Sequence, residues 1–372
     1  MFLFDFGMTT ILMRKTLAFY TGAEAAANVL QDVGNLGWML SDHFDLHLLT
    51  TVPNQLSENI FKHFTVLDFS TDLAGDGRLN TLSEYRKFNT YLSTTQPDAV
   101  TQITRTPVHG TIVGVFATMN NIPFVYRYNG DKFFTYSSTP LWHRPGHFLK
   151  NNILGRVPLQ LADSSIVFGP VGKRRLTTRG VDEENIHVLP PTFNPERIER
   201  ESAADLDIPE GRSVALFVGR IHELKGKERL KKIIPRIVDR RNDIHFVIVG
   251  SNTESLKVPA EYEDHLTRVG FVDPERVPEY MRAADVFVYP TLADCFPRVL
   301  AESILCGTPV IARAVGDIPK LTQNAFETDD EIVDRTVDYE EVPLDDASRF
   351  TREALESKHK QFYEQVVGVD HA

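Results

Sequence analysis

The sequence predicts an α/β protein of two doubly wound domains, each a parallel sheet covered by helices. The chain has 372 residues, which is enough for two cores of ordinary size. Short apolar segments alternate with longer amphipathic ones in both halves, as in parallel α/β units. A proline-rich passage at 188–195 interrupts that alternation, and stiff, helix-breaking passages of this kind are typical of linkers.

The first half contains six apolar segments of strand length and two segments with helical spacing. The strands are predicted at 16–20, 44–50, 66–69, 99–101, 124–127 and 165–168. Helices are predicted at 22–40 and 82–92. Because Met13 stands just ahead of the first strand, residues 1–12 are interpreted as an upstream extension.

The rhythm restarts after Gly211, with strands predicted at 214–218, 245–249, 268–271, 286–289 and 309–312. Residues 352–366 have the spacing of an amphipathic helix. We therefore predict an N-terminal domain at 1–192, a C-terminal domain at 193–348 and a final helical segment at 349–372.

Composition excludes several classes of protein. The formal charge of -11 argues against a nucleic-acid binder. The two cysteines, Cys295 and Cys306, form neither a disulfide framework nor a metal-binding cluster with histidine, so the sequence favours a cytoplasmic protein without a structural metal. No apolar run in the sequence approaches the length of a membrane span.

Charge is unevenly distributed along the chain. Residues 141–180 hold seven lysine and arginine residues and one acid, interleaved with large apolar side chains, whereas residues 321–350 hold ten acids and two arginines. The basic segment could dock on an anionic membrane or on a lipid diphosphate. It could equally be a basic face that balances the acidic segment, which itself is expected to be a solvated surface.

A strand that ends at a glycine is followed by two cations. Gly219 follows the strand at 214–218, Arg220 comes directly after it, and Lys225 comes five residues after Arg220. Ligands of open α/β sheets bind at the carboxyl ends of strands, and the planar fork of arginine with the compact charge of lysine suits a diphosphate. The alternative is a charged helix face, because residues 220–241 hold nine lysine and arginine residues against three acids.

The strand at 286–289 leads through a short loop into a helix predicted to begin near Pro297. The free N–H groups of such a helix start can bind an anion, here those of Phe296, Arg298 and Val299, with Pro297, which has no N–H, among the predicted site residues. Glu302 lies one turn inside on an otherwise apolar helix, and vicinal ribose hydroxyls would give its carboxylate a partner. The alternative is an amphipathic helix whose polar side faces water.

These segments carry a family resemblance. FVGRIHELKG and DCFPRVLAESILCGTPVIA resemble the donor-site signatures of retaining GT-B glycosyltransferases of the family 4 type, also called glycosyl transferases group 1. The family has two acidic residues separated by seven others. The second aligns with Glu302 and the first with Asp294, where the family usually has Glu; Cys295 stands where it usually has Gly.

The resemblance implies a nucleotide diphosphate sugar, UDP- or GDP-linked, as donor and no metal or other cofactor. Glu302 would hold the ribose, Arg220 and Lys225 the diphosphate, and Asp294 the transferred sugar. Backbone near Gly250 would contact the base, and Gly22 would allow close approach of a ligand. The last helix would cross back to the N-terminal domain.

Two further residues follow from an R-x-x-G-D variant of the family pattern at the end of the strand at 124–127. Arg127 and Asp131 are predicted to contact the acceptor or the sugar, with a local surface ion pair as the alternative.

The predicted function is transfer of a hexose to a glycan or polyprenyl-lipid-linked acceptor, with retention at the anomeric carbon. An inactive sugar-nucleotide binder and a GT-B epimerase or phosphorylase remain open. An NAD-dependent oxidoreductase is excluded because no GxGxxG follows a strand.

Overall fold

The computed structural model describes residues 14–22, 27–70, 77–104, 108–128, 141–198 and 202–368. Within them the strands are β1 Thr16–Gly22, β2 Asp45–Thr50, β3 Thr65–Asp68, β4 Ala99–Gln102, β5 Phe124–Tyr128, β6 Ser164–Val167, β7 Ile186–Val188, β8 Ser213–Val218, β9 Ile244–Val249, β10 Leu266–Gly270, β11 Val286–Tyr289, β12 Val310–Arg313 and β13 Ala325–Phe326. The α-helices are α1 Ala27–Leu40, α2 Glu58–His63, α3 Gly77–Thr95, α4 Val108–Met119, α5 Arg144–Phe148, α6 Val157–Leu161, α7 Pro170–Thr177, α8 Pro195–Ile198, α9 Lys227–Arg240, α10 Val277–Arg282, α11 Arg298–Leu305, α12 Ile318–Leu321, α13 Asp329–Val337 and α14 Arg352–Val366.

The strands form two separate sheets, and every described pairing is parallel. The first has seven strands in the order β3-β2-β1-β4-β5-β6-β7, and the second has six in the order β10-β9-β8-β11-β12-β13. In each sheet the strand order reverses beside the first strand, between β1 and β4 and between β8 and β11. This is the topological switch point of a doubly wound sheet. The predicted fold class is therefore confirmed.

The predicted strands agree with the described ones to within a few residues, but two strands were missed. Strand β7 has three residues and directly precedes the proline-rich passage, and β13 has only two residues at the edge of the second sheet. Both are too short to show the period-two pattern on which strand prediction depends. The helix predicted at 352–366 is confirmed as α14.

The two most strongly charged stretches pack against each other. Helix α9 buries an apolar stripe and turns its arginines toward α13 of the acidic segment. Arg229 pairs with Asp329, Arg236 with Asp330 and Arg240 with Asp334, and beyond the helices Arg241 pairs with Glu340. The acidic segment was expected to be a solvated surface. Its acidic side chains do lie at the surface, with Asp330 78% and Asp334 60% exposed, and they also balance the basic face of α9.

The last helix belongs to the core of the first sheet. Leu355, Phe362 and Tyr363 of α14 are buried in a cluster with residues of β1, β2 and α1, and the Tyr363 hydroxyl lies 3.2 Å from that of Thr101 on β4. Helix α14 therefore packs against elements of the first sheet. The domain limits at 192/193 and 348/349 stay predictions.

Two buried histidines make stability depend on pH. Burial lowers the pKa of His245 and of His359 from 6.5 to about 4. Above pH 6.5 neither folded nor unfolded chain is protonated there, so this source of destabilisation is absent. Between pH 6.5 and pH 4 only the unfolded chain takes up the proton. As the pH falls through this window, each histidine therefore lowers the free energy of unfolding by about 1.4 kcal/mol for each pH unit.

We expect His359→Asn to reduce the slope of the free energy of unfolding against pH by the contribution of one proton, about 1.4 kcal/mol per pH unit, because an amide at this position cannot titrate. Urea unfolding at several pH values across the window measures the slope. Nδ1 of His359 lies 2.9 Å from the carbonyl oxygen of Leu355 in the same helix, and the amide of an asparagine can keep that contact. An unchanged slope in the variant would contradict the assignment.

Candidate functional site

A cleft of about 590 Å³ lies between the two sheets. Most of its lining comes from the carboxyl-end loops of the second sheet, which is where ligands of doubly wound sheets bind. The first half contributes Val29, Gln31 and Asp32 of α1 together with Phe168 after β6. The volume lies in the range of small-molecule sites, which is about 300–1,000 Å³.

Two glycines bring bare backbone to the floor of the cleft. Gly219 follows β8 and Gly250 follows β9, and both line the cleft. Gly250 has φ +137°, and a Cβ there would lie 2.1 Å from the carbonyl oxygen of Gly219. Position 250 therefore excludes a side chain, and the two strand ends offer only backbone groups to a ligand. Both glycines therefore border the cleft, and their contact with a ligand stays a prediction.

Lys225 and Asp294 belong to one hydrogen-bonded group. The Lys225 ammonium donates to the Tyr289 hydroxyl at 2.7 Å and contacts the Asp294 carboxylate, and the Tyr289 hydroxyl donates to Asp294 Oδ2 at 2.9 Å. Burial, followed by the charge of Asp294, raises the pKa of Tyr289 well above its usual value, so the phenol keeps its proton. The roles predicted for Lys225 and Asp294 place them on different parts of a ligand, and their mutual contact is not predicted by the sequence.

Arg220 is exposed at the cleft, one residue after Gly219. Together with Lys225 it gives this end of the second sheet two cations. Both lower the pKa of the neighbouring His222, after the larger effect of burial. The predicted pair of cations is thus brought together at one end of the cleft.

Helix α11 starts at Arg298, and Phe296, Pro297, Arg298 and Val299 all line the cleft. The helix start was predicted near Pro297, which agrees. The Phe296 ring meets Phe168 of the first half edge-on, with 6.2 Å between ring centroids. Arg175 of α7 donates to the Cys295 sulfur at 2.8 Å. Contacts from the first half therefore hold the loop that carries Asp294.

Glu302 has a partner that no sequence pattern predicts. Its carboxylate oxygen Oε1 lies 2.5 Å from Nη2 of Arg197, and the two side chains are 6% and 2% exposed. A buried carboxylate needs a partner, but no spacing rule connects the linker residue Arg197 with a helix more than a hundred residues later. The alternative of a water-facing helix side is wrong, because Glu302 is buried.

Arg127 is not placed as predicted. Its side chain is 3% exposed and pairs with Asp32 of α1 at 2.5 Å, while the other carboxylate oxygen of Asp32 lies 3.0 Å from Arg298. Arg127 does not line the cleft. The predicted sugar contact and the alternative surface pair are both corrected for Arg127, because its guanidinium is buried against Asp32. Asp131 lies outside the described residues.

Asp32 joins the two halves of the molecule through charge. Burial alone would raise its pKa, but Arg127 and Arg298 outweigh burial and hold the pKa of Asp32 below its usual value. Its carboxylate is therefore ionised between a guanidinium of the first sheet and one at the start of α11. The sequence contains no local signal for this bridge.

Gly22 also differs from its prediction. It has φ +67° at the end of β1, and a Cβ there would lie 2.3 Å from Nδ1 of His109. The close approach that this position requires is thus to the buried ring of His109, in the first turn of α4. Gly22 is not among the described residues that line the cleft.

Among the described residues there is no helix whose length and hydropathy would allow it to cross a membrane. In the same part of the chain no group of three or more His, Cys, Asp or Glu side chains is arranged to hold a metal ion.

Comparison with known proteins agrees with this geometry. Residues 212–341 match the family model described as Glycosyl transferases group 1. The D-inositol 3-phosphate glycosyltransferase of Pseudarthrobacter chlorophenolicus is 33% identical over 155 residues, which cover 38% of this chain and 37% of the relative. The match thus spans little more than a third of that relative's length.

Two solved structures share the whole architecture. Anabaena HepE, in complex with UDP and glucose, superposes with a TM-score of 0.64 at 17% identity, covering 95% of this chain and 97% of that chain. A glycosyltransferase from Rickettsia africae gives a TM-score of 0.72 at 14% identity, covering 96% of this chain and 100% of that chain. The chain has the two-domain GT-B fold, and residues 212–341 resemble a glycosyl transferases group 1 domain.

Proposed function

We propose that this chain, with its GT-B fold and group 1 segment, is a glycosyltransferase that moves a hexose from a nucleotide diphosphate sugar with retention at the anomeric carbon. One observation supports this most: two cations, a helix start and a buried carboxylate all border one cleft. Cations and free N–H groups bind a diphosphate, and the carboxylate accepts hydrogen bonds from ribose hydroxyls.

Departure of the nucleotide diphosphate creates negative charge, and its stabilisation is the main catalytic demand. Arg220, Lys225 and the start of α11 provide fixed positive charge and N–H donors for it. In this mechanism protein groups do what a divalent cation does in other transferases, so the reaction needs no metal. Closure of the two domains around the donor excludes water and limits hydrolysis.

Asp294 orients the transferred sugar in this proposal, and Lys225 has two tasks. In the absence of donor the lysine is shared by Tyr289 and Asp294. A bound β-phosphate would draw it toward the leaving group and leave Tyr289 to hold Asp294. This exchange of partners costs less than bringing in a fully hydrated lysine, because the ammonium already lies at the site.

The donor base and the acceptor are proposed by chemical class. HepE, which shares the fold, was solved with UDP and glucose, so a UDP-hexose is the first donor to test and a GDP-hexose the second. The curated relatives are named for D-inositol 3-phosphate, which supports a phosphorylated polyol acceptor beside the glycan or polyprenyl-linked acceptor predicted from the sequence.

Turnover tests the proposal directly. Each UDP- and GDP-hexose is incubated with the protein and with inositol phosphate, glycan and lipid-linked acceptors, and the product is analysed by NMR for its anomeric configuration. We expect release of the nucleoside diphosphate with a retained anomeric centre. Tight donor binding without product would indicate the inactive binder, and conversion of the donor sugar without an acceptor would indicate the epimerase.

We further propose that the chain works at the cytoplasmic face of an anionic membrane. The basic segment 141–180 exposes five large apolar side chains within 13 residues: Trp142, Phe148, Leu149, Ile153 and Leu154, with Trp142 80% exposed. No acidic residue occurs between 141 and 162. Three acids of the acidic segment, Asp329, Asp330 and Asp334, pair with arginines of α9, so these three do not balance the basic segment. Apolar side chains beside cations suit an anionic interface, where each cation contributes about 1 kcal/mol.

Trp142→Ser combined with Leu149→Ser is expected to lower the partition onto vesicles containing phosphatidylglycerol at least about tenfold, because it removes two exposed apolar anchors. Flotation at low and high salt measures the partition. Phe61→Ser, which removes an exposed aromatic ring from α2, serves as the control and should bind like the wild type. Equal flotation of all three proteins, or none for the wild type at low salt, would contradict membrane docking.

A further inference from the structure

Arg197 touches three parts of the molecule at once. Its guanidinium pairs with Glu302 of α11, donates to the carbonyl of Pro274 at 2.7 Å and, with the Gln31 amide oxygen turned toward it, donates to Gln31 of α1 at 2.6 Å. All four residues line the cleft. A planar group with five donors can make these contacts simultaneously, whereas lysine cannot.

Arg197 lies at the point where the chain passes from one sheet to the other. On one side Asn35 of α1 donates to the carbonyl of Thr192 at 2.8 Å, which fixes the linker to the first domain. On the other side Arg282 of α10 donates to the carbonyl of Ile198 at 2.7 Å, which fixes it to the second domain. Residues 193–197 are the segment left between these two anchors.

The linker is also connected to the start of α11. The Arg298 guanidinium lies 5.9 Å from the ring centroid of Phe193, and Arg298 reaches Asp32 of α1. Two contacts therefore connect α11 with the linker, one through Phe193 and one through Arg197, and a shift of α11 would displace the linker through either of them. Only the Arg197 route includes the carboxylate proposed to hold the ribose.

We infer that Arg197 is a positioning residue that couples occupation of the ribose-binding carboxylate to the arrangement of the two domains. When ribose hydroxyls donate to Glu302, they compete with Nη2 of Arg197 or reorient it, and the change passes to Gln31 and α1. The donor thereby alters the hinge through a contact it does not itself make. This inference rests on the proposed function, because it requires a nucleotide at Glu302.

Hydrogen–deuterium exchange on the full chain tests the coupling. UDP, GDP and ADP are first compared by thermal shift, and the one that most raises the melting temperature is used at saturation. In the wild type we expect it to slow exchange both in 244–251, at the nucleotide site, and in 186–194, which does not line the cleft. The second response reports the hinge rather than direct contact.

Two variants separate the routes. Gln31→Met removes the acceptor on α1 but leaves the buried Arg197–Glu302 pair intact, and Arg197→Lys keeps the charge beside Glu302 but loses the fork. Both are expected to retain slowed exchange in 244–251 and to lose at least about two thirds of the nucleotide-induced change in 186–194. Gln55→Met, at an exposed glutamine of the first half, should respond like the wild type. A merely structural role would change exchange equally with and without nucleotide.

The failures are distinguishable. If both variants keep the wild-type response in 186–194 while 244–251 is protected, the coupling is wrong and the nucleotide site stands. If no nucleoside diphosphate changes exchange anywhere in the wild type, the proposed function is wrong and the coupling is overturned with it.

Discussion

Replacing Lys225 with alanine is expected to lower kcat/KM about 10²- to 10³-fold, the loss seen when one preorganised donor to a developing oxyanion is removed. The substitution also leaves Asp294 without its cation, so a carboxylate would face the diphosphate directly. We expect Arg220→Ala to produce a loss of the same order and the double variant to be at least as impaired as either. Initial rates with the active donor measure the effect.

The charge of Asp294 offers an internal check on this prediction. If repulsion contributes, Lys225→Ala combined with Asp294→Asn should bind the nucleoside diphosphate more tightly than Lys225→Ala alone. Arg236→Ala is the matched control, because Arg236 is 45% exposed in a surface pair with Asp330 of the same domain. It should change kcat/KM less than about twofold. Activity of Lys225→Ala within threefold of that of the wild type would contradict the assigned role.

Replacing Asp32 with asparagine is expected to lower the free energy of unfolding by about 3–5 kcal/mol, because it leaves buried guanidinium groups without their carboxylate. Asp32 lies between Arg127 and Arg298 and is the charge that the first domain places against α11. Urea unfolding monitored by circular dichroism measures the loss. The same variant should weaken donor binding, since the start of α11 is no longer held.

Asp42→Asn provides the comparison for Asp32. Asp42 also pairs with an arginine, Arg352, at 2.8 Å, but its side chain is 67% exposed. Asp42→Asn should lower the free energy of unfolding by less than about 1 kcal/mol. Asp32→Leu with Arg127→Met should recover part of the stability lost in Asp32→Asn, because it removes the more deeply buried guanidinium together with the carboxylate and leaves only Arg298, which is 16% exposed, to lose its contact with Asp32. Equal effects of Asp32→Asn and Asp42→Asn would mean that burial of the bridge does not matter.

The sequence predicts the site residues that belong to short local patterns. Arg220, Lys225 and the start of α11 follow short strands at fixed distances, and the topology of a parallel sheet brings such positions to one edge. The sequence shows an excess of basic residues in 220–241 and of acidic residues in 321–350, but it does not show that α9 and α13 contact each other. The fold class followed from the periodic alternation of apolar and amphipathic segments.

The contacts that were missed are those between distant segments. Asp32 meets Arg127 and Arg298, and Glu302 meets Arg197, across separations that no helical or strand period encodes. Arg127 was predicted to contact a ligand because residues at strand ends commonly do. Its side chain is instead buried and pairs with Asp32 of α1. Gly22 likewise has a structural reason for lacking a side chain, which only the position of His109 shows.

The central claim is that the cleft beside Glu302 binds a nucleotide diphosphate sugar, and a thermal-shift titration with UDP-, GDP- and ADP-hexoses tests it most directly. A ligand that binds only the native state raises the free energy of unfolding by RT ln(1 + [L]/Kd), so the melting temperature rises with the logarithm of its concentration above Kd. We expect one of the three series to raise the melting temperature of the wild type by several degrees, and to do so far less in Glu302→Gln. No shift with any donor, or equal shifts in both proteins, would contradict the account.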